Sequence, residues 1–332
     1  MTPPDLSVIL VSYRTGPILD ECLASLLDAP QNTTFELFVI ENAQTPDARE
    51  RLMALQQRYA GRPGVVIKQS ETNLGFAAAN NVGLSRATGR NLLLLNPDTQ
   101  VAPGALGAMV RQLDALPPDA GILGFRLENP DGTPQVAART LPSWKVALHQ
   151  NTLAGSFGLF RGEVRRHKLD GFAFDQPREV GQVMGAAFAF PRRTLDRLGP
   201  LDPGFFVYFE EVDYCTRARD TGLRVLFSPT PAVRHYGGVS AAQAADAMFA
   251  VYLDSLLRYQ RKHLPPAAAR LFGSVFKILF VPKLLLEIAG LALKIGKNRL
   301  RGKPDKVARD QAQLRGRTHF LTGGLWRFLL RA

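Results

Sequence analysis

The first hundred residues alternate between short apolar runs and amphipathic stretches. Runs rich in Leu, Ile and Val predict four buried strands, at residues 6–12, 35–41, 65–68 and 91–96. Apolar positions recur every three or four residues between these runs, which predicts helices over residues 17–28, 46–60 and 76–87. Strands and helices that alternate through short connections indicate an α/β class protein whose parallel sheet is covered on both faces.

The pattern is less regular in the second third of the chain. A strand at residues 122–127 leads into the turn sequence NPDG (129–132), which predicts a hairpin. Residues 139–179 lose periodicity and predict a long loop with short helices, a kind of segment that is often functional. The later predicted elements are a strand at 180–190, a helix at 191–199, a helix ending near 222, and the strands LRVLFS and AVRHY.

The net charge of +12 is confined to one part of the chain. Residues 1–257 hold 24 Lys/Arg and 26 Asp/Glu, whereas residues 258–332 hold 17 Lys/Arg and 3 Asp/Glu. The main domain, predicted at 1–257, therefore offers no overall attraction to a nucleic acid backbone. The basic segment 258–332 is expected to be a separate helical tail.

Cysteine content and the N-terminus favour the cytoplasmic side of a membrane. Cys22 and Cys215 are far apart and lack the spacing of metal ligands, which suits a reducing compartment. The sequence MTPPDLSVILVSY has no basic segment before its apolar run, so we expect no signal peptide.

Polar residues follow the predicted strands directly, where ligands bind in open parallel sheets. They are Ser12, Tyr13 and Arg14; Glu41 and Asn42; Asn96 and Asp98; and, before the third helix, Asn73, Gly75 and Asn80. Neither the dinucleotide-binding glycine fingerprint nor the P-loop sequence occurs at these turns. Asp98 is suited to bind a divalent cation, or alternatively to cap a helix beginning near Pro103. The small residues of NLGFAAANN admit a ligand or, equally, close helix packing.

The stretch FFVYFEEVDYC places three carboxylates among apolar residues, where charge is costly. Asp213 can pair with Arg217 four residues later, and the helix dipole can favour one of the glutamates. Glu210 and Glu211 together suggest a paired-carboxylate site with one general base. His235, near the end of the last strand, is either structural or a metal ligand.

Five segments, in this order and spacing, resemble motifs of family 2 glycosyltransferases: NLGFAAANNVG, LLLLNPDT, VMGAAFAFPRR, FFVYFEEVDYCTRAR and VRHYGG. The similarity covers about residues 6–240 and is strongest to the bacterial rhamnosyltransferase-like branch, which acts on lipid-linked or cell-envelope glycans. It implies the GT-A fold, a Rossmann-like nucleotide-binding mixed sheet, here with a C-terminal basic amphipathic helical extension. It also implies inverting transfer from a nucleotide-sugar, with Mg²⁺ or Mn²⁺ as cofactor.

The resemblance assigns roles to individual residues. Glu211 matches the catalytic base and Glu210 the residue that positions the acceptor. Asp98 matches the last Asp of the metal motif, Asn96 replaces the first Asp, and His235 matches a second metal ligand. Together with the polar positions at the strand ends, it gives the expected nucleotide-sugar contacts: Ser12, Tyr13, Arg14, Glu41, Asn42, Asn73, Gly75, Asn80, Asn96 and Asp98. The acceptor region would contain Gly185, Ala186 and Glu210. Trp144, in the segment 139–179 where no motif occurs, is a candidate stacking surface.

The basic tail contains an apolar segment that stops short of a transmembrane helix. Residues 271–295 hold 15 Leu, Ile, Phe and Val, worth roughly −5 to −9 kcal/mol for insertion. Four charged residues in that segment cost about +10 to +14 kcal/mol at central positions, so insertion across the membrane is unfavourable. We predict two amphipathic helices separated at Pro282, which bind an anionic membrane surface through residues 265–332. The alternative is that they pack on the catalytic domain or form an oligomer interface.

The sequence therefore predicts a metal-dependent transferase attached peripherally to the inner face of the cell membrane. Its expected partners are a nucleotide-sugar donor and a lipid-linked saccharide acceptor, without nucleic acid. The resemblance alone favours dTDP-rhamnose as donor, and a UDP- or GDP-sugar is the alternative. A nucleotide-sugar-binding assembly partner without turnover is a second alternative, and nucleic-acid binding through the basic tail is a third.

Overall fold

The computed structural model describes residues 2–237 and 245–330, and the chain divides into two compact units. The first unit comprises Met1–Leu141 and Leu169–Ser240, and the second comprises Pro142–Lys168 and Ala241–Ala332. The boundary predicted at residue 257 falls inside a helix, Ala245–His263. Two predicted features lie outside the described residues: Gly238 of the VRHYGG motif and the last two residues of the tail.

The first unit is an α/β structure. Its strands are β1 (Leu6–Ser12), β2 (Phe35–Glu41), β3 (Val65–Gln69), β4 (Asn91–Leu95), β5 (Thr99–Val101), β6 (Ala120–Glu128), β7 (Pro134–Gln135), β8 (Ala138–Arg139), β9 (Arg178–Val180), β10 (Gln182–Val183), β11 (Ala187–Pro191) and β12 (Arg224–His235). Its helices are α1 (Ile18–Leu27), α2 (Pro46–Arg58), α3 (Gly75–Leu84), α4 (Ala105–Asp114), α8 (Arg192–Leu198) and α9 (Glu210–Asp220).

Among the described residues, the main sheet has the strand order β3-β2-β1-β4-β11-β6-β12-β5. The pairs β2–β3, β1–β2, β1–β4 and β6–β12 are parallel, while β11 is antiparallel to both of its neighbours. The sheet is therefore mixed, as the resemblance implied. Every residue of β1 and β4 is buried, because helices cover both faces of these central strands.

Helix α3 lies against β1 at close range, and its small residues make this possible. A Cβ on Gly83 would lie 2.7 Å from the Cγ2 atom of Ile9, closer than the side chains allow. Ala77 and Ala79 are also buried. The close-packing interpretation of NLGFAAANN is thus confirmed for the body of this helix.

Two strand predictions were wrong in their extent. The single strand predicted at 180–190 is divided into β9, β10 and β11, because β9 pairs with β12, β10 pairs with β8 and β11 joins the main sheet. The strands predicted as LRVLFS and AVRHY are instead one strand, β12, whose register against β6 shifts between Ser228 and Val233. A local pattern cannot reveal such changes of partner.

The second unit is helical. It contains α5 (Trp144–Asn151), α6 (Leu153–Ser156), α7 (Arg161–His167), α10 (Ala245–His263), α11 (Pro266–Leu300), α12 (Pro304–His319), a π-helical turn (Phe320–Gly324) and α13 (Leu325–Leu330). The short helices predicted within 139–179 are confirmed. An aromatic cluster from α10, α11, the π-helical turn and α13 packs in its interior. None of the described helices has the length and apolar character needed to span a bilayer.

The predicted separation of two helices at Pro282 was wrong, because α11 runs through this proline without interruption. Polar residues of α11 bond within the second unit. Lys283 Nζ donates a hydrogen bond to Gln150 O (3.0 Å), and Arg317 Nε donates to Glu287 Oε2 (2.7 Å). These polar groups therefore hold α11 against neighbouring helices of its own unit.

Candidate active site

The carboxyl ends of β1 and β2 form the first part of the site. Ser12 and Glu41 are register partners, and Ser12 Oγ donates a hydrogen bond to Glu41 Oε2 (2.6 Å). Ala43 N donates to Glu41 Oε1 (2.8 Å), so both oxygens of this buried carboxylate already have one partner. Tyr13 and Arg14 follow, and the exposed Arg14 guanidinium lies 5.5 Å from the Tyr13 ring centroid. The predicted polar edge is therefore present, with Glu41 held in one orientation.

The loop before α3 is tied to this edge. Asn42 Nδ2 donates to Gly75 O (2.8 Å), and Asn73 Oδ1 accepts a hydrogen bond from Gly75 N (3.0 Å). Asn80 is buried, and its Nδ2 donates to Phe76 O (2.9 Å). These asparagines fix the loop and the start of α3 beside the ends of β1 and β2.

Asp98 and His235 meet at the next part of the edge. Asp98 Oδ1 lies 3.4 Å from His235 Nε2, and Asn96 Nδ2 lies 3.5 Å from the same nitrogen. Helix α4 begins at Ala105 after Gly104, without a side-chain cap, so the capping role considered for Asp98 is excluded. The sequence predicted both residues, and β12 brings them together because it pairs antiparallel with β5.

Gln135 fixes the orientation of the His235 ring. Its Nε2 donates to His235 O (2.6 Å) and to Asn129 Oδ1 (2.8 Å), so its Oε1 faces His235 Nδ1 at 2.8 Å. Since Oε1 can only accept, Nδ1 carries the proton and Nε2 presents a lone pair. That lone pair is directed towards the Asp98 carboxylate.

These donors fit a divalent metal ion. In the neutral ring, the Nε2 lone pair and the Asp98 carboxylate oxygen 3.4 Å away are both acceptors, and a cation between them would satisfy both. No cluster of three or more His, Cys, Asp or Glu suited to a metal occurs in residues 2–237 and 245–330. The protein side would thus supply two ligands, leaving room for the phosphate oxygens and waters that Mg²⁺ and Mn²⁺ favour.

Glu210 and Glu211 begin α9 and form an acidic pair, in which Glu210 is buried and Glu211 is half-buried. Burial, and then the neighbouring charge of Glu211, raises the pKa of Glu210 well above its ordinary range. Burial also raises the pKa of Glu211. Among the described residues, neither Glu210 Oε2 nor Glu211 Oε2 has a hydrogen-bond partner. Two unsatisfied carboxyl oxygens at a helix start are poised to hold a proton or accept one.

A chain of contacts connects this pair with the metal-binding edge. A Cβ on Gly185 would lie 3.8 Å from Glu211 Cγ, so the acidic side chain lies against the Gly185 backbone. The next residue, Ala186, accepts a hydrogen bond through its O from Asn96 N (3.0 Å). Gly185 and Ala186 therefore lie between the acidic pair and Asn96, consistent with a shared site.

A comparison with known families identifies the domain that carries the strand-end residues of the site. Residues 7–169 match the model of Glycosyl transferase family 2. The chain contains a family 2 glycosyltransferase domain. Its relatives include the N-acetylglucosaminyl-diphospho-decaprenol L-rhamnosyltransferase of Mycobacterium tuberculosis, 28% identical over 247 residues, which are 70% of this chain and 76% of the relative.

Solved structures agree with the GT-A fold of this glycosyltransferase. The mannosyltransferase PcManGT of Pyrobaculum calidifontis, in complex with GDP-Man and Mn²⁺, has a TM-score of 0.52 and 15% identity over 98% of this chain and 88% of its own. GalNAc-T7, with UDP, GalNAc and Mn²⁺, has a TM-score of 0.54 and 16% identity over 82% of this chain. The match spans 55% of the length of GalNAc-T7.

Asp213 is structural in the glycosyltransferase, as predicted. Its side chain is fully buried, and Arg217 Nε donates a hydrogen bond to its Oδ2 (2.9 Å). Arg217 also donates to Leu198 O and Pro200 O, so the ion pair joins α9 to the end of α8 and the following segment. The third carboxylate of FFVYFEEVDYC thus orients the helix that carries the other two.

Trp144 belongs to the second unit of the glycosyltransferase. It is the first residue of α5, where Ser143 caps the helix by accepting a hydrogen bond from Val146 N. Its ring packs edge-on against Phe160, with 5.6 Å between centroids, and remains partly exposed. Its role as an acceptor-stacking surface stays a prediction.

Sequence reasoning missed three residues of the site. Gln135 was not singled out, although a polar residue in the strand that follows the NPDG hairpin turn is a signal for it. Phe76 N donates to Phe206 O (2.6 Å), which ties the loop before α9 to the start of α3. No sequence signal links these two phenylalanines, since 130 positions separate them and their contact is made through the backbone.

Proposed function

We propose that the protein is an inverting, metal-dependent glycosyltransferase that moves a sugar from a nucleotide-sugar to a lipid-linked or cell-envelope glycan. The observation that carries the proposal is the acidic pair Glu210 and Glu211, lying against Gly185 beside the Asn96 and Asp98 edge. Family membership makes transfer the reaction, and the pair supplies the base that inverting transfer requires.

Glu211 is the proposed base. It takes the proton of the acceptor hydroxyl as that oxygen attacks the anomeric carbon, while the bond to the nucleoside diphosphate breaks on the opposite side. Glu210 holds the acceptor and, in its protonated form, leaves the pair with a single negative charge. The apolar wall around both residues raises their basicity because it disfavours the charged form.

The donor is proposed to lie across the edge formed by Ser12, Glu41, Asn73, Asn96 and Asp98. Asp98 and His235 would hold Mg²⁺ or Mn²⁺, which neutralises the charge that develops on the leaving diphosphate. Tyr13 and Arg14 would contact the base or phosphates, and Gly75, Asn42 and Asn80 maintain the backbone around them. The complexes of PcManGT with GDP-Man and Mn²⁺, and of GalNAc-T7 with UDP, GalNAc and Mn²⁺, support this placement by fold similarity.

L-rhamnose, from dTDP-rhamnose, is the sugar that we favour. The support is the mycobacterial relative, an L-rhamnosyltransferase whose acceptor is a saccharide linked through diphosphate to decaprenol. By the same analogy, the acceptor here is a lipid-linked saccharide at the inner face of the cell membrane, with the tail 265–332 as the attachment. A UDP- or GDP-sugar donor is the competing possibility.

A donor panel tests the proposal. Thermal unfolding of the full chain would be measured with dTDP-rhamnose, UDP-sugars and GDP-sugars, each with Mn²⁺ and with a chelator. The true donor should raise the unfolding midpoint only when metal is present. At 100 times its Kd, it should stabilise the folded chain by about 2.7 kcal/mol.

Turnover then separates an enzyme from a binding protein. Glu211→Gln should lower transfer by more than about 100-fold and keep the donor-induced stabilisation, because the amide cannot accept the proton. Donor binding without turnover in the wild-type chain would favour the assembly-partner alternative, and unchanged turnover in Glu211→Gln would remove Glu211 as base.

A further inference from the structure

Helix α11 exposes an apolar stripe along its whole length. Six large apolar side chains lie on it with exposures between 49% and 91%: Leu271, Ile278, Leu285, Leu286, Leu293 and Leu300. They recur at intervals of seven residues, two helical turns, and therefore lie on one face. At about 1.5 Å per residue, the stripe from Leu271 to Leu300 extends over about 44 Å of the 35-residue helix.

The opposite face of the same helix is already occupied. Phe272, Phe276, Phe280, Leu284 and Leu291 are buried in the second unit. The helix is therefore apolar on two opposite faces, of which only the inner one is covered by the described residues. A continuous exposed apolar surface of this length indicates an interaction site.

Charges beside the stripe indicate what covers it. Arg270, Lys297 and Arg299 are exposed and flank the apolar residues. Glu287 is the single acidic residue of α11, and Arg317 neutralises it within the unit. An apolar face bordered by cations complements the surface of an anionic bilayer, where the acyl boundary meets negative headgroups.

A second copy of the chain fits the stripe less well. Two-stranded packing requires two large apolar residues in each seven. The alternate positions of this stripe are occupied by Pro282, Ala289 and Gly296, all exposed. Two copies face to face would also bring their cationic borders together.

We propose that the stripe from Leu271 to Leu300 lies in the plane of an anionic membrane, with α11 parallel to the surface and its apolar side chains at the acyl boundary. The proposal rests on the proposed function in that the acceptor is membrane-linked. It goes beyond the sequence-based expectation, because it assigns membrane contact to the outer face of one continuous helix. The face that carries Lys283 and Glu287, which bond within the unit, makes no membrane contact.

Vesicle binding of matched variants of the full chain tests the proposal. Ile278→Ser/Leu293→Ser removes two stripe residues, and Leu286→Ser/Leu300→Ser removes two others. Met53→Ser/Leu159→Ser is the control, because these side chains are comparably exposed at 62% and 51% but lie off the helix. Flotation with vesicles of phosphatidylcholine and phosphatidylglycerol gives the partition coefficient, and circular dichroism checks the fold.

Each stripe pair should lower partitioning about 100-fold, since each leucine-sized side chain placed at the boundary contributes about tenfold. The control should stay within about twofold. Stripe variants that bind vesicles as well as the wild type would overturn the proposal. So would a wild-type dimer in sedimentation that the stripe substitutions dissociate.

Transfer to a water-soluble acceptor analogue, measured on the same variants, separates this proposal from the proposed function. The stripe variants should keep that activity. Unchanged transfer together with unchanged vesicle binding would refute the membrane surface alone, whereas no transfer from any nucleotide-sugar by the wild type would refute the enzymatic proposal.

Discussion

Two adjacent carboxyl groups at Glu210 and Glu211 are the costliest residues of the first unit in electrostatic terms. Burial disfavours their charged forms, and their proximity disfavours charging both. Structural needs alone do not require the pair, since Asp213 and Arg217 already stabilise the helix that carries it. The cost is understandable if the pair must hold a proton acceptor of raised basicity.

The pH dependence of transfer follows from these shifts. Because the pKa values of both glutamates are raised, the base is protonated over a range above about pH 4.3, the ordinary value for glutamate. The transfer rate should rise about tenfold per pH unit along a limb displaced above that value, as the pair loses its shared proton. A rate profile under donor-saturating conditions measures this, and a limb whose midpoint lies at or below about pH 4.3 would contradict it.

Stability should show the opposite trend. A raised native pKa means that the folded state binds more protons than the unfolded state, so the free energy of unfolding falls as pH rises through the raised pKa. Glu210→Gln removes this pH-dependent decrease in the free energy of unfolding. Its midpoint of thermal unfolding should exceed that of the wild type by a margin that grows with pH, and a margin independent of pH would refute the assigned direction.

Gln135 acts on the metal site through His235 rather than by touching substrate. Gln135→Leu removes the acceptor for Nδ1–H, so the Nε2 lone pair is no longer held towards Asp98. We expect Mn²⁺ affinity in the presence of a nucleoside diphosphate to fall about 10–100-fold. Gln56→Leu is the matched control, because it also removes a glutamine amide bonded to a backbone oxygen, that of Ile67. Calorimetric titration that finds equal affinities would exclude the role.

Among the elements, the start of α3 and the loop before α9 are in close contact, which leaves little room for a larger side chain. Gly75 has φ of +77°, and a Cβ there would lie 2.4 Å from Phe206 O. The loop that contacts it continues into Tyr208 and Phe209, which have φ of +70° and +69°, directly before the acidic pair. A displacement of the donor-side loop would therefore reach Glu210 and Glu211 through a few residues.

Gly75→Ala tests this contact, with Gly61→Ala as its control. Gly61 has a similar φ of +74°, but a Cβ there would meet nothing within 4 Å. Backbone strain of about 1–3 kcal/mol applies to both variants, whereas the collision with Phe206 applies only to Gly75→Ala. Denaturant unfolding should show the larger loss for Gly75→Ala, accompanied by a fall in kcat. Equal losses of stability would show that Phe206 moves aside without a measurable energetic cost.

At the scale of the whole molecule, the two parts of the chain differ in net charge. Residues 1–257 are nearly neutral, and residues 258–332 carry nearly all of the excess positive charge. A basic surface of this kind attracts any polyanion, so charge alone does not choose between a membrane and a nucleic acid. The apolar stripe on α11 does distinguish the two, because a bilayer has an apolar interior that can bury the stripe and a nucleic acid backbone has none.

Salt dependence should reveal this difference. Between 50 and 300 mM salt, binding to duplex DNA should fall by at least about 100-fold, because it rests on counterion release. Binding to anionic vesicles should fall by less, since the apolar contribution is not screened. Filter binding and vesicle flotation of the same preparation measure the two, and DNA affinity above vesicle affinity at 300 mM would favour nucleic-acid binding.

The sequence predicted the parallel half of the sheet well, because β1 and β4 are buried along their whole length and β2 along most of it, so each has a continuous apolar run. It predicted less well where a segment changes partners, as at 180–190, or where a proline is tolerated, as at Pro282. In α11 the apolar residues on both faces outweighed the preference of proline to interrupt a helix. Such outcomes depend on packing that no local pattern contains.

By itself, the sequence determined the alternation of strands and helices, the polar positions at the strand ends, the acidic pair and the concentration of positive charge. These are properties of local patterns and residue chemistry. Only the tertiary structure decided that Gln135 orients His235, that Gly185 and Ala186 lie between Asn96 and Glu211, and which face of α11 stays exposed. Those relations join residues far apart in the chain, and strand pairing and side-chain packing alone bring them together.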